Sequence, residues 1–409
     1  MPAKPGSVLK KIGPGIAIAA TGIGAGDLIA AAVAGARFGT AILWAALIGA
    51  LLKYTLNEGI ARWQLATGTT LVAGWAEHLS RPLTHIFFAY LMLWSFIVAG
   101  ALISACGLAA HALFPAISVP VWGIIHSLAA ALLVLRGNYS LFENTMKFFI
   151  GLMFAVMLLC AALIVPELIP RLPNLLTPVI PPNSGSFLLG VIGGVGGSVT
   201  LLSYGYWIRE RGWDSASSWH LVRLDLGSAY LLTGLFAASV IIISSGINPQ
   251  IVSGTGMALA VAERLAELTG AIGKWSFLLG FWGAIFSSMI GVWQGVPYLL
   301  ADTFARFHSR RPASEAISST SPVYRYFLIY LTLPPMLLLL FQKPVIIVII
   351  YSITGAFFIP FLAGTLLYMN GTTRWVGRMK NSAGITLLLL AALLLFAYLF
   401  FIEIMRYAS

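Results

Sequence analysis

The chain carries thirteen Asp and Glu residues among 409, few enough to place one by one. Asp27 stands apart from the others. It sits in "TGIGAGDLIAAA", an apolar stretch in which Thr21, Gly22, Gly24 and Gly26 precede it. A second stretch, "GVIGGVGGSVTLLSYGYW", holds Gly193, Gly194, Gly196 and Gly197, followed by Ser198, Thr200 and Ser203. Interior glycines cost a helix about 1 kcal/mol each against alanine, so both stretches unwind cheaply. Unwound backbone inside a bilayer exposes carbonyls and N–H groups and survives only where protein or a water-filled cavity satisfies them. Carbonyls turned into a cavity bind a cation, and a half-helix N-terminus favours an anion. The chemistry expected here is therefore capture of a small ligand. The same glycines could instead serve close helix packing, and Asp27 could simply cap a half-helix.

The elements that position these residues follow from composition. The hydrophobic fraction is 59%, the charged fraction 9% and the mean hydropathy +0.92, whereas soluble chains carry about 25% charged residues. A bilayer core of about 30 Å needs about 20 apolar residues per helix. Runs of that kind occur at 14–37, 40–64, 85–113, 119–135, 145–166, 186–208, 221–245, 275–303, 324–342, 344–368 and 383–405. The expected fold is an all-α polytopic membrane protein with eleven transmembrane helices. The segment "GTGMALAVAERLAELTG" between the seventh and eighth spans reads as a helix outside the bilayer. The first span is retained rather than cleaved as a signal peptide.

Lys and Arg placement sets the expected orientation. Seventeen of the 24 basic residues fall on one side if the N-terminus is cytoplasmic and the C-terminus external. A cytoplasmic (inner) membrane location follows and the bilayer is the expected partner; the basic residues sit in short loops between apolar runs, so membrane topology explains them and no nucleic acid is expected. Lys53 falls inside the second span. Glu58, Asp225 and Asp302 lie near inner helix ends, where they reach the interface or pair with Arg62, Arg223 and Arg306. Only Asp27 lies near the bilayer centre, where a carboxylate costs at least about 2.5–3.5 kcal/mol. Asp27 and His126 are the titratable candidates for a coupling proton, although a lone His is more often packed and hydrogen-bonded. No nucleophile–base pair, zinc motif or phosphate loop appears, so neither an enzyme nor a cofactor is expected.

The glycine clusters lie in the first and sixth spans, five apart. Equivalent interruptions in two halves point to an inverted repeat with its site at the midplane. The expected division is a single transporter domain, with helices 1–5 in 1–166, helices 6–10 in 186–368 and an added helix at 383–405. A monomer suffices for such a site.

Several stretches carry a family resemblance. "GPG" and "AGARFG" frame the first span, "LLKYTLNEGIARWQLATG" closes the second, "YSLFENTMKFFIGLM" opens the fifth, and "IPFLAGTLLYMNGTTRWVGRMKN" spans the end of the tenth. In these the chain resembles the NRAMP family of proton-coupled divalent-metal transporters. The resemblance implies a LeuT-like 5+5 inverted repeat with broken helices 1 and 6. It also implies where a site would lie, although the family's ligands are changed. The Asp-Pro-Gly-Asn of typical members is Gly24, Ala25, Gly26 and Asp27 here. In helix 6 the backbone-carbonyl and methionine positions become Ser198 and Leu201, and the histidines become Ser203 and Ile208. The helix 10 glutamine becomes Ser352.

The expected substrate-binding set is thus Thr21, Gly22, Gly24, Gly26, Asp27, Gly197, Ser198, Leu201, Ser203 and Ser352, with Asp27 and Ser198 as metal ligands. Without a thioether these are oxygen donors, which suit a hard ion such as Mg2+ or Mn2+ better than Fe2+. Transport of a small organic solute such as an amino acid through the Gly-rich break is the alternative. A non-transporting scaffold or sensor is the third reading.

Overall fold

The computed structural model describes residues 24–136, 140–168, 178–194, 196–213, 215–252, 256–309 and 320–408. Among them the chain is helical and forms no strand. Nine helical stretches are long and apolar enough to cross a membrane. One of these, 28–67, turns over at Gly39 (φ 61°) and so covers part of the first expected span and all of the second. Ile150–Pro166 adds a shorter apolar helix in the fifth. Helix therefore occupies each of the eleven expected positions.

Local sequence sets many of the ends. The second span (Leu43–Thr67) stops at Gly68 in the left-handed region (φ 72°), whose N–H bonds back to Gln64 O at 2.9 Å. Glycine takes that conformation at no steric cost. Thr70 then caps the short helix Leu71–His78 by accepting the Ala73 N–H at 3.2 Å. The ninth span begins with Ser321 as cap and Pro322 in the first turn, and continues as Pro322–Thr332. It tightens into a 3-10 helix over Pro334–Phe341, where two consecutive prolines remove N–H donors. The segment expected outside the bilayer is helical from Met257 and is set off from the eighth span by Gly270 (φ 70°). It does not lie free: Met257, Ala258, Val261, Ala262 and Leu265 are fully buried, while Arg264 and Glu267 pair on its outer face.

Packing partners reveal the internal symmetry. The second span packs on the seventh (Trp219–Ser244), the third (Arg81–Leu113) on the eighth, and the fourth (Val119–Arg136) on the ninth. The fifth span packs on the eighth just as the tenth (Pro344–Asn370) packs on the third. The third meets the fourth as the eighth meets the ninth. Exchanging spans five places apart maps these particular pairs onto one another, the pattern an inverted repeat produces.

Depth in the bundle differs sharply between spans. The most apolar window of the sixth is 88% buried, against 22% for the eleventh. The interrupted sixth span lies deep in the bundle, and the eleventh (Ala383–Ala408) packs at its periphery.

Candidate functional site

The sixth span is broken. Helix Gly185–Gly194 ends, Gly196 and Gly197 adopt φ 70° and 84°, Val199–Leu202 makes one 3-10 turn, and α-helix resumes over Ser203–Glu210. Glycine is needed twice over at Gly196. Its φ is left-handed, and a Cβ there would lie 2.5 Å from the Tyr230 ring. The Tyr230 hydroxyl accepts from Asn57 Nδ2 at 3.1 Å, so the second and seventh spans together brace the break.

The first span contributes helix Ala25–Phe38, with Gly24 at its N-cap. It therefore begins beside the expected interruption, and Asp27 is its third residue. Thr21, Gly22 and the side chain of Asp27 lie outside the described residues. Gly26 is packed tightly: a Cβ would meet the Tyr351 ring at 3.2 Å, Ser352 Oγ at 3.5 Å and Gly194 Cα at 3.7 Å. The start of this half-helix, the end of Gly185–Gly194 and Ser352 of the tenth span thus converge.

The predicted polar residues of the sixth span have definite partners. Ser198 is buried, and its Oγ accepts the Trp94 indole N–H at 3.2 Å. A Cβ on Gly355 would come within 2.6 Å of that Oγ, so Ser198 is held between the third and tenth spans. Ser352 donates to Val348 O of its own helix at 3.1 Å. Leu201 is fully buried. Ser203 lines a 280 Å³ cavity on the side where the basic residues concentrate, shared with Trp207, Gln294, Tyr298 and the pair Asp302–Arg306. A second cavity of 350 Å³ lies at the opposite end of the bundle, between Ser104, His111, Val119, Gln342 and Ile347.

The buried charges at the Ser203 end of the bundle are paired locally. Arg306 Nε lies 2.8 Å from Asp302 Oδ1, and the Tyr206 hydroxyl donates to Asp302 Oδ2 at 2.8 Å. Arg62 pairs with Glu58 and also donates to the carbonyls of Met379 and Lys380 at 3.0 and 2.9 Å. Asp225 differs from the expected pairing. It accepts the Tyr204 hydroxyl at 2.9 Å, while Arg223 turns to Tyr54. His126 is engaged at both ring nitrogens. Nε2 accepts the Trp282 N–H at 2.8 Å, which places the proton on Nδ1 for the carbonyl of Trp122 at 2.7 Å.

Lys53 is the residue that sequence reasoning passed over. It is fully buried at the middle of the second span. Its Nζ donates to Gly193 O at 3.0 Å and to Gly197 O. The signal was available: an ionisable residue at mid-span is costly and calls for a reason. The break thus presents carbonyl oxygens to a positive group. No cluster of three or more His, Cys, Asp or Glu side chains occurs among the described residues.

A bundle of symmetry-related spans around one unwound segment, with cavities at both ends, defines a LeuT-type membrane transporter. A family model for natural resistance-associated macrophage protein-like chains matches residues 15–406. This chain belongs to that Nramp family. Among solved structures it resembles the manganese transporter of Eremococcus coleocola bound to an aromatic bis-isothiourea substituted compound. The TM-score is 0.73 at 16% identity, covering 98% of this chain and 87% of that one. MhsT in complex with L-phenylalanine superposes with a TM-score of 0.60 at 15% identity, covering 95% and 98%. At such identities the likeness is one of fold. No curated protein matches the chain.

Proposed function

We propose that this chain carries a divalent metal cation across the membrane by alternating access, with the ion bound where the first and sixth spans are interrupted. A hard ion such as Mg2+ or Mn2+ fits the site better than Fe2+. The observation that carries the reading is the helix 6 break itself, an unwound stretch whose helix end meets the start of the helix 1 half-helix at Gly26. Family membership supports it, as does the likeness to a manganese transporter. Asp27, Ser198 and the carbonyls around Gly22–Gly24 would hold the ion. Ser198 keeps a lone pair beyond the one facing Trp94, and all these donors are oxygens.

Asp27 would also carry the coupling proton. His126, the other candidate, would have to give up the Trp282 N–H to take one. The protein would act as one domain, with repeats over 1–166 and 186–368, the N-terminus cytoplasmic and the C-terminus external in the cytoplasmic membrane.

One observation favours the second reading, an organic solute such as an amino acid. The Lys53 ammonium adds positive charge at the break, which repels a metal ion and attracts a carboxylate. Uptake into proteoliposomes separates the two. Loss of Mg2+ or Mn2+ flux in Asp27→Ala supports metal transport. Amino-acid exchange indifferent to every divalent ion overturns it.

A further inference from the structure

A helix that stops inside a bilayer leaves carbonyls without amide partners. In an uninterrupted helix Gly193 O would accept the Gly197 N–H, but that N–H goes to Gly194 O at 3.0 Å. The carbonyls at this helix end also carry the negative end of its dipole. Gly193 O at that end, and Gly197 O in the unwound turn beyond it, receive the Lys53 ammonium instead. An ammonium is a compact point charge with three donors, close in size and charge to a small monovalent cation stripped of water. Burying it at mid-span costs at least about 2.5–3.5 kcal/mol, a cost that oxygens placed to meet it help to offset.

We infer that Lys53 is a tethered cation: its ammonium permanently fills a carbonyl site at the helix 6 break that would otherwise bind a free monovalent cation. The break then keeps its shape without a dissolved ion at those oxygens, and any transported solute binds to other groups around the gap. The inference is independent of which solute crosses, because it concerns occupancy of these carbonyls alone.

The test reads binding rather than transport, so its outcome is separate from the solute assignment. Purified wild type, Lys53→Met and Lys53→Ala are unfolded thermally in detergent with sodium, potassium, ammonium or methylammonium chloride, against choline chloride at equal ionic strength. Wild type should unfold at one temperature in all five salts. The variants should unfold earlier in choline and recover by at least about 2 °C, saturably, in one or more of the small cations. Should they not fold in choline, purification in the small cations restores them, and Lys53→Gln, which keeps a donor without charge, gives a second reading. Variants that fold yet ignore every cation overturn the inference. So does a wild type that itself needs one, or failure of all three variants to fold in any salt.

Discussion

Trp94 and Ser198, 104 residues apart in the chain, meet at 3.2 Å, indole N–H to hydroxyl oxygen. The bond ties the third span to the unwound segment of the sixth at a point where both residues are buried. The third span packs on the fourth, eighth and tenth, whereas the sixth packs on the first, second and tenth. If the two groups of spans rock against each other, as repeats of this kind do, this bond lies across the sliding surface.

Trp94→Phe keeps an aromatic ring, smaller than the indole, and deletes the donor. A buried hydrogen bond contributes about 1 kcal/mol, so the balance between inward- and outward-open states should move by about fivefold if the bond exists in only one of them. Maleimide labelling of Gln294→Cys, in the cavity beside Ser203, measures that balance. Cys106 and Cys160 are fully buried and leave the background quiet. An unchanged labelling rate means the bond persists in both states.

Gly196→Ala should abolish uptake and lower stability by about 1–2 kcal/mol from the left-handed backbone alone, with more from the Tyr230 ring 2.5 Å from the new Cβ. Adding Tyr230→Ala should relieve the contact and leave the backbone strain. Unfolding temperatures of the two variants should therefore differ, with neither reaching wild type.

Asp302→Asn removes one side of a pair in which both side chains are 3% exposed. Breaking a buried pair from one side costs about 3–5 kcal/mol, and the Tyr206 hydroxyl keeps an oxygen to donate to, so the lower end is expected. Asp302→Asn with Arg306→Gln should be the more stable of the two variants. Thermal unfolding in detergent decides the order.

His126→Phe should cost about 1–3 kcal/mol by leaving the Trp282 N–H without its acceptor. Because both nitrogens of His126 serve neighbouring spans and its own helix, the pH profile of uptake should keep its wild-type shape. A flattened profile would assign the coupling proton to His126 instead of Asp27.

What local sequence encodes was legible. Apolar runs of about 20 residues fixed where helices cross, because no other backbone satisfies itself in lipid. The glycine cluster 193–197 marked the break of the sixth span. The i,i+4 spacing of Glu58 with Arg62 and Asp302 with Arg306 announced both pairs, since one helical turn brings such residues together. Gln294, a polar residue within the eighth span, lines the cavity beside Ser203.

Tertiary packing decided the rest. Lys53 meets carbonyls 140 and 144 residues away, Ser198 is claimed by Trp94, and Asp225 takes Tyr204 over the nearer Arg223. Ser352, equally polar and equally mid-span, bonds within its own helix. Periodicity tells which residues share a helix face but not the rotation and depth at which two faces meet. Those follow from the summed packing of the bundle, and they determine which oxygens at the break face a charge.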